Sequence, residues 1–359
     1  MRILVTGANG FVGKNLCASL PDHELYRYDV DTDPALLDSY CQDADFVFHL
    51  AGVNRPKDPK EFMEGNFGFT SVLLDTLKKH GNTCPIVLSS STQAALYNPY
   101  GQSKRAGEEL LIAYGADTGA KVIIYRFPNL FGKWCRPNYN SAIATFCHNI
   151  ARRLPITVND PSVELTLVYI DDLLDELKRA LTGNPSEAIA HKATLGRIVE
   201  LLEGFRDSRN TLSVPDLSDP FVKKLHATYL SYLPEDEFSY PLKMNVDSRG
   251  SFTEILRTER HGQFSVNIAK PGIVKGNHWH HTKNEKFLVV GGEGVIRFRR
   301  IDSQEVIEYR VSGDKMEVLD IPPGYTHNIE NTGDTNLITF MWCNEQFDPE
   351  KPDTIFQEV

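Results

Sequence analysis

The first thirteen residues, MRILVTGANGFVG (residues 1–13), decide the fold of the N-terminal half of the chain. A strand-like apolar run, RILVT, leads into glycines in GxxGxxG spacing and then into a helix-like run. Glycines at such a turn let the backbone approach a pyrophosphate, and the N-terminus of the following helix stabilises its negative charge. Turn glycines are common, but their place directly after the first strand predicts that Gly7, Gly10 and Gly13 bind a dinucleotide cofactor.

Beyond this turn, strand-like and helix-like runs alternate up to about residue 180. Examples of the strand-like runs are FVFHLAG (46–52), PIVLSS (85–90) and KVIIYRF (121–127). Their hydrophobicity is continuous rather than alternating, as a parallel sheet covered on both faces requires. The alternation of strands and helices predicts a Rossmann-type, doubly wound α/β fold.

The pattern changes after about residue 240. Short strand-like runs such as KFLVVGGEG (286–294) and LITFMWC (337–343) are separated by Gly, Pro, Asn and Asp turns. Many short strands without a long helical pattern predict an all-β barrel or sandwich. We therefore predict an α/β dinucleotide-binding domain over residues 1–240 and an all-β domain over 245–359. The Pro- and Asp-rich stretch 205–240, with one helical patch, is expected to connect them.

Composition limits the possible classes of partner and compartment. The 359 residues include 38 basic and 48 acidic side chains, a net charge of -10, which argues against binding to nucleic acid or an anionic membrane surface. No apolar run approaches the roughly 20 residues of a membrane helix. The six cysteines are scattered without a CxxC pair, and the N-terminus lacks the layout of a signal peptide. We expect a cytoplasmic protein.

The segment SSSTQAALYNPYGQSK (89–104) predicts catalytic residues. Tyr100 and Lys104 are four residues apart at the start of a predicted helix, so they share a helix face. The Lys104 ammonium is expected to lower the pKa of Tyr100 toward working pH. Tyr100 would then protonate a carbonyl oxygen as hydride arrives, while Ser91, at the end of the preceding strand, holds that oxygen. The alternative is a surface tyrosine and lysine placed together by chance.

A second cluster, GNHWHHTKNEKF (276–287), predicts a metal site. On a strand, His278 and His280 share one face and His281 points the other way. Glu285 follows near a turn, and His327 lies in the later segment PPGYTHNIEN (322–331). Imidazoles with one carboxylate suit Zn²⁺, Fe²⁺, Mn²⁺ or Ni²⁺ better than Mg²⁺. An isolated HxH is more often structural, but four ligands in order favour metal binding.

The N-terminal motifs together resemble the extended short-chain dehydrogenase/reductase family, over residues 1 to about 240. YRFPNLFG (125–132) and LVYIDDL (167–173) also match that family's later landmarks. The resemblance implies that Ser91, Tyr100 and Lys104 are catalytic. It also implies that Lys104 and Ala51 contribute to the cofactor site. Members of the family commonly act on nucleotide-linked sugars.

One departure from the family pattern narrows the expected reaction. In sugar-nucleotide 4,6-dehydratases of this family an Asp-Glu pair follows the catalytic Ser or Thr. Here the corresponding residues are Thr92 and Gln93. Without the two acids, formation of a 6-deoxy sugar is not expected. Reduction or oxidation at a carbon bearing oxygen remains.

The residues at the end of the second strand, YRYDVD (26–31), leave the choice of cofactor open. Asp29 would suit the ribose 2′-hydroxyl of NAD. Arg27 could instead bind the 2′-phosphate of NADP. Both could also be solvated charges at the end of a strand.

The histidine segments resemble the two signature motifs of the cupin barrel, with all four usual ligand positions filled. DSRGSFTE (247–254) resembles a segment near the start of dTDP-4-keto-sugar 3,5-epimerases, which are cupin-like barrels. In those enzymes the arginine helps to hold the nucleotide sugar, a role that the resemblance gives to Arg249. The alternative is a simple polar turn. The metal motif departs from those epimerases, which work without a metal.

Across essentially its whole length the chain resembles a family of bifunctional capsular-polysaccharide enzymes that make UDP-2-acetamido-2,6-dideoxy-L-talose. The resemblance implies Zn²⁺ in the cupin half, which epimerises C3 of a UDP-linked 4-keto-6-deoxy amino sugar. It implies NADPH, with NADH possible, in the half that reduces C4, and a homodimer. Two other hypotheses remain open. The cupin could be a metal-stabilised binding or dimerisation module beside a single reductase site, or an Fe(II) oxygenase.

Overall fold

The computed structural model describes residues 1–258 and 262–359. This part of the chain forms two compact units. The first comprises Met1–Glu203 with Leu217–Pro234, and the second comprises Gly204–Asp216 with Glu235–Val359. Among the helices in the described ranges, none is both long enough and apolar enough to cross a membrane.

The first unit is built on a five-stranded parallel sheet with strand order β2-β1-β3-β4-β5. Its strands are β1 Arg2–Thr6, β2 Glu24–Tyr28, β3 Phe46–His49, β4 Ile86–Ser91 and β5 Val122–Phe127. The helices of the chain are α1 Phe11–Ser19, α2 Leu36–Asp43, α3 Lys60–Met63, α4 Phe69–Lys79, α5 Pro99–Thr118, α6 Ala142–Ala151, α7 Ile170–Leu181, α8 Leu195–Thr211 and α9 Pro220–Leu230. The carboxyl ends of the central strands therefore meet at one edge, where the predicted cofactor residues lie.

Apolar side chains cover both faces of this sheet. Ile3 of β1 packs with Leu16 of α1 and Leu173 of α7 on one face. On the other face, Leu4 packs with Leu77 of α4. All these side chains are almost fully buried, so successive residues of β1 serve opposite cores. This two-sided burial explains the continuous apolar runs, and the predicted doubly wound α/β fold is confirmed.

The rest of the first unit is a three-stranded sheet of β6 Asn129–Phe131, β7 Glu164–Tyr169 and β8 Ala190–Thr194. The helix α9 is an integral part of this unit, because Lys224 on α9 forms an ion pair with Asp172, with 2.6 Å between Nζ and Oδ2. The hydroxyl of Tyr232 also donates to the carbonyl of Cys135. Thus the stretch 205–240 is not a connector throughout.

The second unit also takes in part of that stretch. The backbone N–H of Val214 donates to the carbonyl of Arg257 and the Arg257 N–H donates to Leu212, each over 2.8 Å. These hydrogen bonds attach residues 212–214 to the barrel. The boundary between the two units therefore differs from the sequence prediction. Backbone hydrogen bonds between residues 212–214 and Arg257 determine it, and the pattern of apolar residues does not reveal such pairing.

The second unit is an antiparallel β-barrel domain of two sheets, with strand orders β16-β13-β18-β11-β10-β9 and β15-β14-β17-β12-β19. Its strands are β9 Met244–Asp247, β10 Gly250–Thr258, β11 Gly262–Ala269, β12 Val274–Trp279, β13 Glu285–Gly291, β14 Glu293–Arg300, β15 Val306–Ser312, β16 Val318–Ile321, β17 Tyr325–Asn331, β18 Leu337–Cys343 and β19 Ile355–Phe356. Inward-facing residues such as Phe287, Ile296 and Ile329 form its core. The predicted all-β C-terminal half is confirmed.

Candidate active sites

The glycine turn lies against the end of β3. Gly7 has φ +69°, and a Cβ built on it would lie 2.7 Å from the backbone nitrogen of Ala51. A Cβ on Gly13 would lie 2.1 Å from the carbonyl oxygen of Gly7. Gly10 is different, since its φ of −71° suits any residue and it is exposed. Backbone packing therefore requires Gly7 and Gly13, while Gly10 leaves an open surface at the start of α1. The structure brings the three glycines and Ala51 together.

Asp29 lies beside the same turn. Its Oδ2 accepts a hydrogen bond from the Asn9 backbone N–H over 2.7 Å, and its Oδ1 accepts one from Val30 over 2.8 Å. Arg27 is exposed within β2, next to the first strand in the sheet. The carboxylate of Asp29 thus helps to hold the glycine turn, a role that the sequence does not reveal.

The three predicted catalytic residues lie at the start of α5 and the end of β4. Asn98 caps the helix by accepting a hydrogen bond from the Gly101 N–H over 2.8 Å, which fixes the first turn that carries Tyr100. One turn later, the Lys104 ammonium lies 5.9 Å from the centroid of the Tyr100 ring. Its Nζ donates to the Ser89 carbonyl over 3.1 Å. Tyr100 and Lys104 therefore lie side by side at the edge of the sheet.

The electrostatics at Tyr100 differ from the sequence expectation. Burial raises the pKa of Tyr100, and hydrogen bonding with the Ser91 side chain lowers it by less. Burial also lowers the pKa of Lys104 to about 8, with Glu108 acting in the opposite direction. The expected net lowering of the Tyr100 pKa is thus not found, because desolvation outweighs the other contributions. At neutral pH Tyr100 is a phenol, which is the form that donates a proton.

Asn66 is a site residue that the sequence analysis missed. It lies in a π-helical turn, Glu64–Gly68, between α3 and α4, and is buried. Its side chain accepts from the Val53 N–H over 3.0 Å, and donates to the Val53 carbonyl over 2.8 Å and to the Ser103 hydroxyl over 3.0 Å. Asn66 therefore ties the loop after β3 to α5. π-Turns often occur at functional sites, but no apolar period signals one in advance.

A buried hydrogen-bonded chain supports that turn. His49 Nδ1 lies 2.7 Å from the Thr6 hydroxyl, and His49 Nε2 lies 2.8 Å from the Thr70 hydroxyl. The Thr70 hydroxyl donates to the carbonyl of Asn66 over 2.6 Å, so Thr70 accepts from His49 Nε2–H. Burial, and to a smaller extent the charge of Lys104, lower the pKa of His49 to about 3. The ring is therefore neutral and has a polar partner at each nitrogen.

In the second unit, the four predicted metal ligands converge. One ligand atom from each of His278, His280, Glu285 and His327 lies within 4.8 Å of all the others. Glu285 Oε2 is 3.5 Å from His280 Nε2 and 3.4 Å from His327 Nε2. The strands β12 and β17 pair directly at His278 and His327, and Glu285 begins β13. Strand pairing and one short loop therefore assemble residues that are far apart in the sequence.

The chemistry of these four side chains fits a bound metal ion. Within residues 1–258 and 262–359, the buried atoms His280 Nε2, Glu285 Oε2 and both ring nitrogens of His327 have no hydrogen-bond partner. Such groups are costly to bury unless another ligand binds them. Burial, and to a smaller extent the neighbouring His327, lower the pKa of His278 to about 4. Burial would raise the pKa of Glu285, but the adjacent imidazoles hold it well below its ordinary range. Neutral imidazoles and an ionised carboxylate are the forms that bind metals.

The four predicted ligands form the metal-ligand cluster (His278, His280, Glu285 and His327). This cluster opens into a cavity of about 690 Å³ in the barrel. Arg249, Lys275 and Lys283 also line this cavity. Arg249 lies in the β9–β10 turn, where its guanidinium binds Asp247 Oδ2 over 2.7 Å. Arg249 therefore lies in a polar turn and also lines the cavity, and its role in holding a nucleotide sugar stays a prediction. Lys283 Nζ lies 3.2 Å from Glu285 Oε1, next to the metal-ligand cluster.

Three polar residues lie near the metal ligands in sequence, His281, Lys286 and Tyr325, yet other residues line the cavity. Of the described residues that line it, none is one of these three. The His281 ring packs against Trp279, with 4.6 Å between centroids, and Lys286 pairs with Asp320. For Lys286 the reason is strand geometry, because it follows Glu285 on β13 and successive strand residues face opposite sides of the sheet.

Comparisons with known proteins agree with this division of the chain. Residues 3–191 match the model of the NAD dependent epimerase/dehydratase family, and residues 245–355 match the polysaccharide biosynthesis C-terminal domain. The chain is 45% identical to the UDP-2-acetamido-2,6-beta-L-arabino-hexul-4-ose reductase of Pseudomonas aeruginosa, over 99% of this chain and 98% of that protein. A GDP-6-deoxy-D-mannose reductase from Pseudomonas aeruginosa is 28% identical over 56% of this chain and 79% of its own length.

Among solved structures, the chain is similar to the capsular polysaccharide assembling protein CapF from Staphylococcus aureus. The two are 57% identical with a TM-score of 0.95, and the match covers 100% of both chains. Similarity of this extent holds for the α/β unit and the barrel alike. The chain therefore belongs to the NAD dependent epimerase/dehydratase family, as an extended short-chain dehydrogenase/reductase that carries a polysaccharide biosynthesis C-terminal domain.

Proposed function

We propose that this chain is a two-site enzyme acting on a UDP-linked 4-keto-6-deoxy-N-acetylhexosamine in capsular polysaccharide precursor synthesis. The barrel epimerises C3, and the α/β unit then reduces the C4 ketone with NADPH. The names of the reductase from Pseudomonas aeruginosa and of CapF support the substrate class and the pathway. The observation that carries the proposal is the barrel cavity, where a metal-ligand cluster and three cationic side chains meet. A single reductase site leaves that cavity unexplained.

In the α/β unit, the predicted catalytic residues bind the substrate and protonate its C4 oxygen. Tyr100 donates a proton to the C4 oxygen while the cofactor supplies hydride to C4. Its raised pKa keeps that proton in place at neutral pH. Ser91 holds the same oxygen, and Lys104 supplies positive charge beside the ring. Proton donation by a positioned side chain typically contributes about 10² to 10⁴ in rate.

In the barrel, His278, His280, Glu285 and His327 would hold Zn²⁺. A zinc ion there supplies Lewis acidity toward a carbonyl oxygen. Arg249 is the exposed cation of the cavity wall and binds the diphosphate of the nucleotide sugar, in keeping with the preference of arginine for phosphate. Epimerisation removes the proton from C3, next to the C4 ketone, and returns a proton to the opposite face of C3. A cavity of about 690 Å³ suits a ligand of the size of a nucleotide sugar.

The chemistry of the sugar sets the order of the two reactions. The proton on C3 is acidic only while C4 is a ketone, because the neighbouring carbonyl stabilises the carbanion. Reduction of C4 removes that acidity. Epimerisation must therefore precede reduction. Because the equilibrium constant of epimerisation is close to one, reduction shifts that equilibrium by consuming the epimerised ketone.

The choice of NADPH rests on the whole-chain resemblance and on the positions of two side chains. Asp29 already accepts two backbone N–H groups, one from Asn9 in the glycine turn and one from Val30. Arg27 is exposed and available for a 2′-phosphate.

We further propose a homodimer, because Met244 and Val246 expose 57% and 67% of their surface on the edge strand β9.

Hydrogen exchange without any nicotinamide tests this function. The zinc-loaded wild type is incubated in D₂O with the UDP-4-keto-6-deoxy-N-acetylhexosamine, and deuterium at C3 is followed by NMR. We expect incorporation at C3 before any cofactor is added, and no incorporation after zinc is removed with a chelator. If C3 acquires deuterium only together with NADPH oxidation, or not at all, the barrel is a binding or dimerisation module.

A further inference from the structure

The C-terminal segment of the chain runs along the strand that carries the metal-ligand cluster. The short strand β19 pairs with β12, so that Phe356 lies opposite His278 and Ile355 opposite Trp279. The Gln357 N–H also donates to the Asn277 carbonyl over 3.0 Å. The segment thereby closes the exposed edge of β12 and brings Asp353 beside His280.

Asp353 contacts the loop between His280 and Glu285 through its side chain. Its carboxylate accepts from three consecutive backbone N–H groups, those of His281, Thr282 and Lys283, over 2.9, 2.7 and 2.9 Å. It also accepts from the Thr282 hydroxyl over 3.1 Å. Consecutive N–H groups that converge on one anion fix the path of the backbone.

The backbone of Asp353 acts on the same cluster from a second direction. Its carbonyl oxygen accepts a hydrogen bond from His280 Nδ1. The proton of His280 therefore resides on Nδ1, and Nε2 is left as a lone-pair donor that faces Glu285. One residue thus fixes both the tautomer of His280 and the loop leading to Glu285.

We infer that Asp353 is a positioning residue of the proposed zinc site, which orients His280 and Glu285 without touching the ion. This inference rests on the proposed function of the barrel. Partners of this kind typically change metal affinity by about 10- to 100-fold when they are removed.

Zinc affinity measured by competition with a chelator tests the inference. We expect Asp353→Ala to weaken zinc binding roughly 10- to 100-fold. Asp348→Ala is the matched control, because Asp348 lies in the same segment and, within the described residues, its carboxylate accepts only from the nearby Glu350 N–H, over 2.9 Å. Its zinc affinity should equal that of the wild type.

Cobalt substitution separates positioning from general loss of structure. Co²⁺ bound in place of Zn²⁺ has visible d–d absorption that depends on ligand geometry. Asp353→Ala should shift these bands, and Asp353→Asn should partly restore both the spectrum and the affinity, since its amide oxygen can still accept one or two of the N–H groups. If Asp353→Ala does not fold, the zinc affinity and the cobalt spectrum of Asp353→Asn are compared with those of the wild type instead.

The outcomes distinguish the two proposals. A wild type that binds neither Zn²⁺ nor Co²⁺ would overturn the zinc site itself. A wild type that binds zinc, with Asp353→Ala and Asp353→Asn unchanged in affinity and in cobalt spectrum, would overturn the positioning role alone.

Discussion

In the α/β unit the buried side chains of His49 and Asn66 have hydrogen-bond partners, whereas, among the described residues, several buried ligand atoms at the centre of the barrel site do not. His49 has a threonine hydroxyl at each ring nitrogen, and Asn66 makes three side-chain hydrogen bonds. By contrast, in the described part of the chain both nitrogens of His327 have no hydrogen-bond partner, although the ring is almost fully buried.

This difference separates two ways of building a site. The α/β site keeps its shape through protein contacts alone, which suits a cofactor that must bind and leave in every turnover. The barrel site concentrates lone pairs that only a cation can satisfy together. We therefore expect the α/β unit to lose activity, but not its fold, when ligand contacts are removed. The fold of the barrel site should depend on the proposed zinc ion.

The largest expected effect is on zinc content. His280→Ala removes a ligand that is 1% exposed and leaves three others, so zinc affinity should fall at least 100-fold, consistent with the loss of one coordinating group. Metal analysis of the purified proteins measures it. His281→Ala, which changes the exposed neighbour, should keep near-stoichiometric zinc. Full zinc occupancy in His280→Ala would rule out the assigned ligands.

The next effect separates cofactor contact from packing within the glycine turn. Gly10→Val should fold, because the backbone there suits any residue and a Cβ would make one close contact, with the Gly7 carbonyl oxygen at 3.1 Å, which a shift of a few tenths of an ångström relieves. Its KM for NADPH should rise about tenfold or more through steric exclusion of the pyrophosphate. Gly13→Val should fail to fold stably, since its Cβ would lie 2.1 Å from the Gly7 carbonyl. An unchanged KM in Gly10→Val would place the cofactor elsewhere.

The smallest effect is a gain in stability at the catalytic lysine. Burial lowers the pKa of Lys104 from 10.5 to about 8 in the folded state, so the unfolded state binds more protons between these values. The stability of the wild type therefore rises with pH across that window, and at pH 7 the full penalty is present. Lys104→Met should raise the Tm at pH 7 by a few degrees and lose this advantage near pH 10. Lys78→Met, at an exposed ion pair with Asp117, should show no such gain.

Much of both sites could be predicted from the sequence, because local pattern determines it. Short motifs predicted three features: the glycine turn between β1 and α1, the Tyr100–Lys104 pair on α5, and the convergence of the four predicted metal ligands. Contacts that close over long distances could not be predicted. Asp353 lies 73 residues from His280 in the sequence. The π-turn that carries Asn66 leaves no trace in the spacing of the apolar residues. The net pKa of Tyr100 also depends on burial, which a motif does not report.

The independence of the two sites is tested most directly by Tyr100→Phe and His280→Ala, with C3 deuterium uptake and NADPH oxidation followed in the same D₂O reaction. Tyr100→Phe should keep the C3 exchange and lose about 10²- to 10⁴-fold in NADPH oxidation, because only proton donation is removed. Tyr97→Phe, at a 94% exposed tyrosine, should match the wild type in both. His280→Ala should lose the exchange and form the correct product slowly. If Tyr100→Phe abolished deuterium uptake at C3, one site would be doing both reactions and the two-site scheme would be wrong.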